Sequence, residues 1–159
     1  MASVPNPAFM QRAIALATEN VRSGAGGPFA AVIVKDGVVV GEAANSVTAT
    51  NDPTAHGEVN AIRKACAALG TFTLKGCEMY TSCEPCPMCL AASYWARLDR
   101  IYYGNDCHAA ARAGFDDAFL YKEFRLDAGE RSLPAHQLLP SEAWESFQAW
   151  QDNPNKIEY

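Results

Sequence analysis

Apolar residues at helical spacing open the chain: Phe9, Ala13, Leu16, Ala17 and Val21 follow one another until Gly24. Asn6-Pro7 ahead of them reads as an N-cap with proline at the first helical position. The period then changes. In "PFAAVIVKDGVVVGEAA" two β-branched runs are joined by Asp36-Gly37, which predicts a hairpin. "NDPTA" reads as a loop whose Thr54 caps a second helix from about Ala55 to Leu69, ended by Gly70. "CEMYTS" predicts a third strand, Pro85 opens a third helix through "CPMCLAASYWARL", and "RIYYG" predicts a fourth strand. The pattern weakens through "NDCHAAARAGFDDAFLYKEF". After it come a short predicted strand, "AHQLL", a helix capped by Ser141 and the polar tail "DNPNKIEY". Strands alternating with helices predict one α/β domain over residues 1–159, a three-layer α/β/α sandwich on a mixed central sheet. No internal repeat or linker interrupts it.

Composition narrows the setting. A chain of 159 residues is long enough to bury roughly two-thirds of its unfolded surface without staples. Its 49% hydrophobic and 19% charged residues are an ordinary globular mix. The opening "MASVPNPAFMQRA" lacks the basic and apolar regions of a secretory signal, and no apolar run reaches the ~18 residues of a membrane span. The expectation is a cytoplasmic protein with reduced thiols, which favours metal binding or catalysis over disulfides. A net charge of -5 argues against long nucleic acid as the partner.

Half of the six cysteines fall in "TSCEPCPMC", at 83, 86 and 89. Upstream stands His56-Gly57-Glu58, separated from Pro85-Cys86-Pro87-Met88-Cys89 by 26 residues. Cys86 and Cys89, three apart at a helix start, point the same way, and exposed amides there favour thiolates. One imidazole and two thiolates suit zinc and leave a fourth position open for water. Zinc can lower the pKa of that water from about 15.7 to about 7. Glu58, a hard carboxylate beside this softer set, reads as a proton shuttle. Cys83 as a fourth ligand would close the site into a structural one. That leaves Glu58 without purpose, so Cys83 is read as a pocket-wall or core residue.

The ordered pattern His-x-Glu … Pro-Cys-x-x-Cys is the known signature of zinc-dependent nucleobase deaminases. With "GGPFAAVIVKDG", "TNDPTAHGEVNAIRKAC", "YTSCEPCPMCLAASYWAR", "AGFDDAFLYKE" and the terminal "KIEY", essentially the whole chain resembles the bacterial guanine deaminases of the cytidine/deoxycytidylate deaminase family. The resemblance implies one zinc per chain on His56, Cys86 and Cys89, and hydrolysis of guanine to xanthine and ammonia. It also implies a homodimer that exchanges a C-terminal segment, about residues 141–159. Gly57 departs from the alanine usual in that family, a change expected to loosen the turn slightly.

Further roles follow from the resemblance. Asn45, which could merely make a turn, is placed as a base-reading amide able to donate and accept. The second carboxylate of Asp116-Asp117, otherwise a helix cap, is placed facing the base, where Asp117 helps move protons to the departing amine. Phe29 and Trp95, otherwise core aromatics, are placed as stacking walls, and Tyr159 closes the partner subunit's pocket. Cys66 and Cys77 read as core, Cys107-His108 as an incidental pair, and His136 as a loop or strand-edge residue. Other readings stay open: an adenosine deaminase acting on transfer RNA, a cytosine deaminase, or a non-catalytic zinc-stabilised binding module. Glu58 separates the last from the rest, since hydrolysis needs it and a structural site does not.

Overall fold

A computed structural model of the protein describes residues 4–115 and 117–159. Its elements are α1 (Pro7–Arg22), β1 (Ala30–Lys35), β2 (Val38–Ala44), α2 (Val47–Thr50), α3 (Gly57–Leu69) and β3 (Cys77–Cys83), then α4 (Pro87–Trp95), β4 (Arg100–Asn105), α5 (Cys107–Arg112), α6 (Ala118–Glu123) and α7 (Pro140–Asp152). They form two compact units, one running through Asp117 and the other from Ala118 to the C-terminus.

The first unit follows the sequence pattern closely. The Asn6 side chain caps α1 by accepting from the Ala8 amide at 3.0 Å, and Pro7 holds the first helical position. Asp36 (φ 50°) and Gly37 (φ 78°) both turn left-handed, as a two-residue hairpin loop between right-twisted strands requires. β1 pairs antiparallel with β2 on one side and with β3 on the other, and β3 pairs parallel with β4. The order β2-β1-β3-β4 is therefore a mixed sheet.

Alternation along the strands builds two cores. Val32, Val34 and Tyr80 pack with Ala13 of α1, flanked by Phe9, Met10 and Leu16. Ala31, Ile33 and Met79 pack on the other face with Ala61 and Ala65 of α3 and with Ala96 just after α4. Helices thus cover both faces, giving the three layers. Each fully buried Ile or Met side chain contributes about 1.5–3 kcal/mol by leaving water.

Several predicted details differ. Thr54 does not cap α3; its amide and hydroxyl both donate to Asp52 Oδ1, at 2.8 and 2.7 Å, folding the loop on itself. The N-cap of α3 is His56, and α4 likewise begins after Cys86 rather than at Pro85. A short helix, α2, precedes the predicted loop at 51–55, in a stretch for which the sequence pattern predicted no element.

In the second unit "AHQLL" is not a strand. Proline stands on both sides of this stretch, at 134 and 140, and none of its residues pairs in the described sheet. Ser141 is not the cap of α7 either, because Pro140 already occupies its first turn behind a left-handed Leu139. α7 buries none of its residues.

Candidate active site

The first turns of α3 and α4 bring the chemistry together. The Nδ1 atom of His56 lies 3.6 Å from Cys86 Sγ and 3.4 Å from Cys89 Sγ. The three donor atoms all fall within 4.8 Å of one another, and no other cluster of three or more such donors occurs among the described residues. Tetrahedral zinc with Zn–S near 2.3 Å and Zn–N near 2.05 Å would set N···S separations of about 3.5 Å. The donors present fit that ion in type, number and spacing.

Protons in the cluster follow the same logic. Cys86 is a thiolate with a pKa of about 4, held down by hydrogen bonds from the Cys89 thiol and from His56. Cys89 is pushed up, because its neighbour already carries the negative charge and burial opposes a second. The His56 pKa is raised, chiefly by its bond to Cys86. Two thiols therefore share a proton that a divalent cation would displace.

Glu58 follows on the first turn of α3, only 4% exposed. Burial pushes its carboxyl above the usual range. A buried carboxyl whose pKa is raised holds a proton more readily than an exposed one, which suits a group that takes up and passes on a proton.

Gly57 between them has a specific reason to lack a side chain. A Cβ there would meet Ala30 Cα at 2.8 Å and Phe29 O at 3.0 Å. The start of α3 presses directly on the backbone of β1, so the glycine serves a close approach rather than a looser turn.

His56, Glu58 and Cys86 line a cavity of about 290 Å³, near the small end of ligand sites, which start at about 300 Å³. Asn45, Phe29 and Asp117 line it too. Asn45 Oδ1 accepts from the Val47 amide at 3.2 Å, which fixes the carboxamide with its Nδ2 as a spare donor. The charge of Asp117 is near enough to favour protonation of His56.

Gly27, Val47, Thr48, Glu84 and Phe115 complete the lining and were not picked out by sequence reasoning. The Phe115 ring meets Phe29 edge-on at 4.8 Å, forming an aromatic wall. Glu84 Oε2 accepts from the Cys107 amide at 2.9 Å, anchoring the start of α5 beside the metal cluster. The adjoining motifs "CEPC" and "GFDD" held the only sequence signal for these two.

Trp95 is outside the cavity lining, 63% exposed at the far end of α4. Eight helical steps of ~1.5 Å, from Pro87 to Trp95, place it about 12 Å from the start of α4. Tyr159 belongs to the second unit, where its ring stands 6.4 Å from Trp150. Asp116 lies outside the described residues. The Cys83 thiol, raised to about 11 by burial, lies 3.9 Å from the Asp106 carbonyl, apart from the donor cluster. Cys107 opens α5, and His108 and His136 are exposed.

Comparison with known proteins agrees with this geometry. Guanine deaminase of Bacillus subtilis is 55% identical over 151 residues, covering 95% of this chain and 97% of that one. The X-ray structure of that enzyme superimposes with a TM-score of 0.95 at 53% identity, covering 98% and 99% of the two chains. A tRNA-specific adenosine deaminase of Agrobacterium fabrum is 48% identical, but only over 48% of this chain and 51% of its own. Residues 5–105 match the model of the cytidine and deoxycytidylate deaminase zinc-binding region. The chain belongs to the cytidine and deoxycytidylate deaminase family.

Proposed function

We propose that this protein removes the exocyclic amino group of guanine by hydrolysis, consuming water and releasing xanthine and ammonia. The observation that carries this reading is Glu58, a nearly fully buried acid set beside the His56–Cys86–Cys89 cluster on the wall of a base-sized cavity. Likeness to a guanine deaminase along almost the entire chain supports the choice of base.

His56, Cys86 and Cys89 would hold zinc, which supplies Lewis acidity that makes water acidic enough to ionise near neutral pH. Glu58 takes the proton from the attacking water and passes it to the ring nitrogen beside the attacked carbon. Deamination moves more protons than one group can carry, so Asp117 assists the departing amine from the same cavity. Asn45 presents its free amide donor to the base edge, and Phe29 with Phe115 supplies an apolar aromatic wall.

The functional unit is a single deaminase domain over residues 1–159 acting as a homodimer, with the segment from about 141 to 159 exchanged between subunits. In support, α7 leaves Trp144 53% and Phe147 60% exposed, an apolar face that favours a cover. Tyr159 would close the other subunit's cavity. Free thiols at all six cysteines fit a reducing cytoplasm. No helix among the described residues is long and apolar enough to cross a membrane.

A substrate panel tests the function. Guanine, adenine, cytosine, guanosine and transfer RNA are each supplied to the zinc-loaded protein and ammonia release is measured. Guanine should give by far the highest kcat/KM. A higher value for cytosine or for adenosine in transfer RNA would replace guanine as the substrate.

A further inference from the structure

The side chain of Asn20, near the end of α1, is buried at 8% exposure and lies outside the cavity lining. Its Nδ2 donates to two backbone carbonyls, Gly27 O and Asn45 O, each at 2.8 Å. Its own backbone carbonyl accepts from the amides of Ala25 and Gly26, at 3.0 and 3.3 Å. Phe29 N donates to Gly27 O at 2.9 Å, and Asn45 N donates to Phe29 O at 2.8 Å. Gly27, Phe29 and Asn45, all on the cavity wall, are thus tied to one another and to one carboxamide.

The fit is close. A Cβ on Gly26 would stand 2.4 Å from Asn45 O and 2.9 Å from Asn20 Nδ2, so the loop passes over the amide only as glycine. Asn60 Nδ2 donates to Ala44 O at 3.3 Å and to Ser46 Oγ at 3.0 Å, holding the residues before and after Asn45. Only an amide supplies two donors on one atom here without a charge; an aliphatic side chain would leave Asn45 O without that donor and Gly27 O with the Phe29 amide alone.

We propose that Asn20 is a positioning residue for base recognition, acting through Asn45. It fixes the backbone from which the Asn45 amide addresses the base. The proposal rests on the reading of the cavity as a base site. Loss of Asn20 lets that wall relax, which weakens binding of the base while Glu58 and the metal cluster, carried on α3 and α4, keep their chemistry.

The test is a double-mutant cycle of wild type, Asn20→Ala, Asn45→Ala and the double variant. It is read as kcat and KM for guanine well below each melting temperature, with zinc content measured alongside. Asn20→Ala should raise KM about tenfold or more, equivalent to about 1.4 kcal/mol, with kcat within about threefold and zinc unchanged. In the Asn45→Ala background it should add no more than about threefold, because both changes act on one contact. A KM within about twofold of wild type, whatever the melting temperature does, overturns the proposal. So does a factor that multiplies in full onto that of Asn45→Ala. Should Asn20→Ala fail to fold, Asn20→Ser, which keeps one donor, enters the same cycle. A wild-type protein that ignores guanine but turns over another base defeats the guanine reading alone, and the cycle is then read on that base. A protein that acts on no base overturns both.

Discussion

His56 and Cys86 hold the same position in two different helices. Each is the residue just before the first turn, with extended backbone (φ -69°, ψ 154° and φ -63°, ψ 167°), and neither side chain makes a capping hydrogen bond. Helix starts usually engage such a side chain with their exposed amides. Here both side chains converge on each other instead, at 3.6 Å, and the amides remain to favour the thiolates at the start of α4.

That convergence assigns the ligands. Cys89→Ser should lower the zinc content, read by elemental analysis, far below one ion per chain. Cys83→Ser should leave it near one, since the Cys83 thiol sits apart from the cluster. Zinc retained in Cys89→Ser and lost in Cys83→Ser would reverse the assignment.

Asp117 is the second carboxylate of the cavity. Asp117→Asn should cut guanine turnover about a hundredfold, the low end of acid–base contributions, with little change in melting temperature. Asp116→Asn should cost much less. Equal kinetic losses at both positions would return the pair to a helix-capping role.

The proposed exchange of the tail between subunits has its own test. Removing Lys156–Tyr159 should leave zinc bound and the first unit folded while depressing guanine turnover, because in the proposed dimer the segment excludes water from the partner's pocket. Coexpression of this truncation with a Glu58→Gln chain should partly restore activity. Only in such a mixed dimer does a cavity with intact Glu58 receive a complete tail from the other subunit. Activity no greater than that of the two proteins separately would contradict a tail supplied in trans.

Where local chemistry decided the structure, the sequence was a good guide. Asn6-Pro7, Asp36-Gly37 and Gly70 are punctuation with a single backbone meaning, and α1, the first hairpin and the end of α3 follow them. His56, Glu58, Cys86 and Cys89 were legible because metal and proton chemistry restricts both residue type and spacing. Thr54 and Ser141 misled because a capping residue type fits many loops, and neighbours decide which amide it meets: Asp52 engages Thr54, and Pro140 pre-empts Ser141. "AHQLL" is apolar enough for a strand, but a strand also needs a partner. Phe115 and Glu84 escaped notice because they reach the cavity through long-range packing that no local period encodes. The same holds for Gly57, whose contact with Ala30 crosses 27 residues of chain (57 − 30).

The central claim is that Glu58 moves protons for hydrolysis of guanine beside the His56–Cys86–Cys89 cluster. Its most direct test follows xanthine formation from guanine by wild type and by Glu58→Gln, each with its zinc content and fold verified. The amide keeps the shape but cannot carry the proton, so the variant should retain full zinc and lose about 10²–10⁴-fold in kcat. A zinc-loaded Glu58→Gln protein that forms xanthine near the wild-type rate would contradict the account.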